Sequence, residues 1–107
     1  MGALKLWIDD MRPAPKGYLC WCKSVDEAKF MIENANVVHG DETYWTIDLI
    51  DIDHDAGDYA NQGGDYIKLL DWLEETGRRY PIHIHSMNPI GIQNMRAIIQ
   101  RNGWEEV

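Results

Sequence analysis

Basic charge is what this chain has least of. Ten Lys and Arg stand against 18 Asp and Glu, a formal net charge of −8 over 107 residues, with an isoelectric point near 4.7. A surface of that sign repels phosphate backbones and anionic lipids before contact, so duplex DNA and membranes are excluded as partners. Long apolar runs are missing too. None approaches the roughly 18–20 residues of a membrane span, and Met1-Gly2-Ala3-Leu4 lacks the basic head and apolar middle of a secretion signal. The expected location is cytoplasmic. Cysteine is limited to Cys20 and Cys22, either side of Trp21. That spacing is poor for a disulfide, and no second Cys or Cys/His pair completes a zinc site, nor do His39, His83 and His85 by spacing alone. Both thiols are expected to be buried. A GxGxxG motif and a Walker lysine are absent, and Gly57, Gly63 and Gly64 are too irregularly placed for a phosphate loop.

What is present is globular: 45 % hydrophobic and 26 % charged residues. The length suits one domain over residues 1–107 and leaves no room for a second core. Residues 4–8 form a short apolar strand closed by Asp9-Asp10. Residues 11–18 hold Pro13, Pro15 and Gly17, which exclude a helix. Residues 19–23 form a second strand. Ser24-Val25-Asp26-Glu27 reads as a capping box, and Ala28, Met31, Ile32 and Ala35 follow at helical spacing. Residues 36–44 are polar and expected to be a loop. Residues 45–52 form a third strand, ending at Asp53-His54-Asp55.

A helix is expected from about residue 65, with Tyr66, Leu69, Leu70 and Leu73 on one face and Gly77 as its stop. Residues 81–85 make a fourth strand. Asn88 then caps a helix with Pro89 at its first position, burying Ile92, Met95, Ile98 and Ile99 and stopping at Gly103. Residues 104–107 could add a stub of a fifth strand. Strands alternating with helices predict an α/β fold: a three-layer sandwich around a mostly parallel sheet. The link from strand one to strand two is about eight residues, or roughly 26 Å extended, against a strand of about 17 Å. A stretched, Pro-rich parallel crossover is therefore feasible, and an antiparallel second strand stays open.

In such a sheet, ligands bind at the carboxyl ends of the strands, where the winding reverses. Here Asp9-Asp10, Asp53-His54-Asp55 and His85-Ser86 fall at three such ends. Strands one and three are neighbours in the flavodoxin-like order, which gathers Asp9, Asp10, Asp53 and Asp55. Crowded carboxylates raise one another's pKa unless a cation intervenes. A hard ion such as Mg²⁺, or Mn²⁺, fits oxygen ligands of this kind. A single acid at one strand end is ordinarily just solvated; acids at two adjacent ends point to a metal. Asp48 and Asp51, inside strand three, are expected to face an edge or to pair locally. His54 and His85 can act as acid and base or simply pack, while His83 is expected to be structural. Arg12, Ser86 and Asn88 are the candidate substrate-binding residues: Arg12 can hold a phosphate bidentately, and Ser86 can donate to a phosphate oxygen or cap the next turn. Trp7, Trp21, Trp45, Trp72 and Trp104 exceed what so small a core holds, so an exposed patch and a homo-oligomer are conceivable.

Three blocks carry a resemblance. They are Leu6-Trp7-Ile8-Asp9-Asp10-Met11-Arg12-Pro13, Ile52-Asp53-His54-Asp55-Ala56-Gly57 and Ile84-His85-Ser86-Met87-Asn88-Pro89-Ile90-Gly91. In this order they resemble the cyclic-phosphate processing receiver domains. The resemblance implies a flavodoxin/receiver-like fold whose first helix is replaced by an extended segment. It implies activity on cyclic phosphates of nucleotides or RNA ends, often in bacterial conflict systems. It places Asp9 and Asp10 at the metal-binding acid pair and Asp53 at the receiver phosphoacceptor. His54 and Asp55 complete the Asp-His-Asp motif, and Ser86 stands where receivers keep a small hydroxyl residue. All five lysines (Lys5, Lys16, Lys23, Lys29, Lys68) precede strand four, so no lysine can sense a phosphoryl group from a later strand end.

Two functions follow. One is a divalent-metal-dependent hydrolase of cyclic phosphates, with Asp53, His54, His85 and Ser86 as catalytic residues and a phosphate-containing small molecule or RNA end as substrate. One histidine would take a proton while the other protonates the leaving sugar oxygen; in a variant, Asp53 attacks phosphorus first. The other function is a non-catalytic receiver-like signalling or nucleotide-binding module.

Overall fold

Strict alternation along the first strand divides the sheet into two unlike faces. The computed structural model describes residues 2–18, 20–35 and 45–107. Its strands are β1 (Gly2–Ile8), β2 (Cys20–Cys22), β3 (Trp45–Ile52) and β4 (Ile82–Ile84), in the order β2-β1-β3-β4. Every pairing is parallel, which settles the direction of β2. Leu6 and Ile8 register with Ile50 and Ile52, which register with Ile82 and Ile84. Side chains of one parity share a face, so these make one continuous apolar surface. The other parity aligns Trp7 with Asp51, and Asp51 with His83.

Three helices cover the apolar face: α1 (Val25–Ala35), α2 (Ile67–Thr76) and α3 (Pro89–Asn102). Their buried residues, among them Ile32, Leu70, Leu73, Met95 and Ile99, join Leu6, Ile8, Ile50, Ile52 and Ile82 in one core. Handedness explains why they share a side. The connections β2–α1–β3 and β3–α2–β4 both advance across the sheet in one direction, and right-handed crossovers then fall on one face. The β1–β2 link runs the opposite way and crosses the opposite face. There the covering layer is the extended Pro-rich segment instead of a helix. Its Tyr18 meets Trp7 edge-on at 5.4 Å, and its Arg12 carbonyl accepts from the Trp7 indole at 2.7 Å.

Local chemistry sets the element ends. Ser24 Oγ accepts from the Glu27 amide at 3.0 Å. Glu27 reaches back to the amide of Lys23 at 2.8 Å, one residue before the Ser24 amide that a full capping box engages. Asn88 caps α3 as expected, accepting from the Gly91 amide at 3.0 Å. Gly77 and Gly103 close α2 and α3 in the left-handed region, with φ of 70° and 65°. Ile92 is only half-buried, so the inner face of α3 is narrower than its spacing implies. Leu4 registers with Ile47 but Lys5 with Leu49, so Asp48 is a bulge residue, exposed and unpaired in the ladder. The fifth-strand stub is one parallel bridge between Ile82 and Glu106.

Cys20 and Cys22 are free thiols, half-buried and buried, and burial pushes Cys22 up to about 12. Of the indoles, Trp7, Trp21, Trp72 and Trp104 are all at least half-buried, and Arg78 lies 4.6 Å over Trp72. They supply no open aromatic patch. The expected 36–44 loop, with His39, lies outside the described residues. No helix among the described residues is long and apolar enough to cross a membrane.

Tyr66 ties the layers together. Its ring is fully buried, and its hydroxyl donates to the carbonyl of Lys23 at 2.7 Å. Tyr66→Phe leaves that carbonyl without its donor and is expected to cost about 1–3 kcal/mol. Urea unfolding checks this: the midpoint falls and the slope stays unchanged.

Candidate active site

The strand ends deliver a buried ionic group before they deliver any reactive one. Asp9, first beyond β1, is 1 % exposed. Its Oδ1 accepts from the amides of Met11 at 2.9 Å and Arg12 at 2.8 Å, so the chain turns around its own carboxylate. Its Oδ2 faces His85 Nε2 at 2.9 Å. On the other side of that ring, Nδ1 meets Asp51 Oδ1 at 2.6 Å. Asp51 is 4 % exposed, and its second oxygen accepts from the Tyr18 hydroxyl. Trp7 lies flat against the imidazole, ring centres 3.9 Å apart and planes within 2°.

Only the doubly protonated imidazolium donates from both nitrogens. Burial opposes that charge on His85, but the hydrogen bonds and fields of Asp51 and Asp9 win and raise its pKa above 6.5. Burial likewise works against ionised Asp9, yet the Arg12 and Met11 amides and His85 hold its pKa below 3.8. The bond to Asp51, helped by burial, pushes the Tyr18 hydroxyl up to about 12.

Asp53 stands beside this group because its amide donates to the Ile8 carbonyl at 2.9 Å, continuing the β1–β3 ladder. One of its oxygens accepts from the His54 amide at 2.8 Å. Ligand atoms of Asp9, Asp53 and His85 lie within 4.8 Å of one another. Two carboxylates, each with one oxygen pinned by backbone amides, plus an imidazole nitrogen make a donor set that fits a divalent ion. Of the four acids expected as ligands, Asp9 and Asp53 come together. Asp10 stays close: burial raises its pKa, with Asp9, Asp53 and Asp58 adding to the rise. Its carboxylate occupies the space a Cβ on Gly57 would need. Asp55 is spent differently, since its Oδ1 pairs with His54 Nδ1 at 2.8 Å.

His54 is held in a cleft of backbone. Its ring lies against Gly91 in the first turn of α3, where a Cβ would run into the imidazole. Asn88 Nδ2 approaches Nδ1 at 3.5 Å. The other nitrogen, Nε2, has no hydrogen-bond partner among the described residues. An open depression of about 450 Å³ is lined by Arg12, Asp53, Asp55, Ser86, Met87, Asn88 and Pro89, which include both side chains that meet His54 Nδ1 but not His54 itself. Arg12 is the basic residue in that lining. Ser86 Oγ accepts from the Asn88 amide at 3.1 Å, which leaves its proton to donate elsewhere. His83 is apart from all this, exposed and bonded through Nδ1 to the Val107 carbonyl at 2.7 Å.

Asp51, Tyr18, Trp7 and Gly91 were not among the site residues expected from sequence. Asp51 does pair, but with His85 and Tyr18 inside the site. A hint was available: Asp51 shares strand parity with Asp53, so both face the same side as the acid end of β1.

The sequence signature of the cyclic-phosphate processing receiver domain matches residues 4–101. The chain belongs to that family, a receiver-like fold in a group that processes cyclic phosphates. No curated protein and no solved structure matches it.

Two outcomes test the geometry. Gly91→Ala is expected to push the His54 ring off α3 and break its bond to Asp55 while the fold persists. Nitrogen-15 shifts of the His54 ring check this, and unchanged shifts would refute the contact. The raised pKa of His85 makes its ionic stabilisation complete below pH 6.5, and that stabilisation is lost as pH rises through the higher folded value. In chelator-treated protein, the melting-temperature gap between wild type and His85→Gln should therefore be widest at pH 6 and shrink as the pH is raised through the folded value.

Proposed function

We propose that this member of the cyclic-phosphate processing receiver family is a divalent-metal-dependent phosphodiesterase that opens cyclic phosphates, either of nucleotides or at RNA ends. One observation carries the reading: Asp53 and Asp55 line a depression that also presents Arg12, and Asp55 holds Nδ1 of His54, whose Nε2 has no hydrogen-bond partner among the described residues. A carboxylate on Nδ1 fixes the orientation of an imidazole, as an acid–base histidine requires. His85 has both nitrogens committed to carboxylates, so the proton traffic falls to His54.

The chemistry follows from these placements. Arg12 holds the non-bridging oxygens of the phosphate, and the Ser86 hydroxyl donates to one of them. Water adds to phosphorus and gives its proton to Asp53. The ring P–O bond breaks as His54 passes its Nε2 proton to the departing sugar oxygen, leaving a phosphomonoester. A divalent ion held at Asp9 and Asp53 would supply charge for the phosphoryl oxygens and lower the pKa of the attacking water. A phosphorylation switch is the poorer fit, because no lysine follows position 68 to sense a phosphoryl group.

The test is a Mg²⁺ and Mn²⁺ screen against 2′,3′- and 3′,5′-cyclic nucleotides. Hydrolysis is expected with at least one class. Asp53→Asn should abolish it, and His54→Gln should lower kcat by about 10²–10⁴-fold. Hydrolysis at the wild-type rate in Asp53→Asn, or none with any substrate, overturns the reading.

A further inference from the structure

The donor set discriminates among cations, an inference that rests on the metal-dependent reading above. We infer that the ion suited to this site takes nitrogen as well as oxygen, of the Mn²⁺, Co²⁺ or Zn²⁺ kind. Its ligands are His85 Nε2 and one oxygen each from Asp9 and Asp53. Ligand atoms of the three residues lie within 4.8 Å of one another, and Nε2 stands 2.9 Å from Asp9 Oδ2. Two ligands at right angles, each about 2.1 Å from a shared metal, are about 3.0 Å apart. The His85–Asp9 hydrogen bond holds the two atoms at a separation that shared coordination also tolerates.

The imidazole is also prepared from behind. Metal-binding histidines ordinarily give their second ring N–H to a carboxylate, which fixes the tautomer and strengthens the ligand. Asp51 occupies that position at 2.6 Å. Tyr18 in turn fixes Asp51, and Trp7 stacks on the ring, so the plane of His85 cannot swing away. A bound ion takes the place of the Nε2 proton, which leaves to solvent, while Nδ1–H stays on Asp51. Mg²⁺ has little use for this nitrogen: it prefers oxygen and retains its waters. On this chain it would be confined to Asp9, Asp10 and Asp53.

The full chain, stripped with chelator, is titrated calorimetrically with Mn²⁺ and with Mg²⁺. Mn²⁺ is expected to bind roughly tenfold or more tightly than Mg²⁺. Asp51→Asn should weaken Mn²⁺ by about 10–100-fold, and His85→Gln should bring Mn²⁺ down to the Mg²⁺ level. Since either variant could lose its fold, pulsed electron paramagnetic resonance of Mn²⁺ on wild-type protein with ¹⁵N-histidine gives an independent readout. Coupling to a histidine nitrogen supports the assignment. Its absence, or equal affinity for both ions, overturns it. An ion seated through nitrogen without hydrolysis would sink the phosphodiesterase reading alone. Hydrolysis with Mg²⁺ and no nitrogen coupling would sink this inference alone.

Discussion

Two carboxylates sealed inside a sheet face need a partner, and His85 is the one this fold provides. Asp9 and Asp51 are 1 % and 4 % exposed, and an unpaired ion so placed costs several kcal/mol even after the protein relaxes around it. One imidazole between them answers both. Its flat contact with Trp7 adds a cation–π term that grows as water is excluded. The surrounding chain is arranged around this pairing. Holding Asp9 bends the segment that carries Asp10 and Arg12, and holding Asp51 recruits Tyr18. Asp53 is left at the edge of the group, where its carboxylate can meet something from outside.

The two histidines thus divide their labour by environment. His85 is enclosed by acids on both sides and serves as a fixed charge. His54 sits one element away with a single carboxylate, at Asp55, and a second nitrogen that has no partner among the described residues. The same residue type takes different roles because β4 ends inside the acid cluster while the β3 exit runs over the start of α3.

Much of this was readable from the chain. Apolar runs closed by acids located the strand ends, Asn88-Pro89 marked the start of α3, and prolines at 13 and 15 excluded a helix where the structure has none. What stayed hidden depended on distance along the chain. Asp51 meets His85 across 34 residues and Tyr18 across 33, so no local pattern could distinguish a site acid from one paired for stability alone. Asp55 was grouped with the other acids because it follows them in sequence. Yet the β1–β3 ladder ends with the Asp53 amide on the Ile8 carbonyl, and beyond it the strand's alternation no longer dictates where a side chain points. The Glu27 cap slipped by one residue for a similar reason: the motif specifies which groups can meet, and the entering chain decides which amide is nearer.

The extended layer over the polar face has a further thermodynamic consequence. A helix would carry its own ladder of backbone bonds, whereas this strap is fastened through Trp7 to the Arg12 carbonyl and through Tyr18 to Asp51. The second fastening ends on the ionic group itself. By reciprocity, whatever orders the Asp51 carboxylate firms the strap through Tyr18, and loosening the strap frees that carboxylate. Order in this covering and the placement of the acid beneath it are therefore coupled.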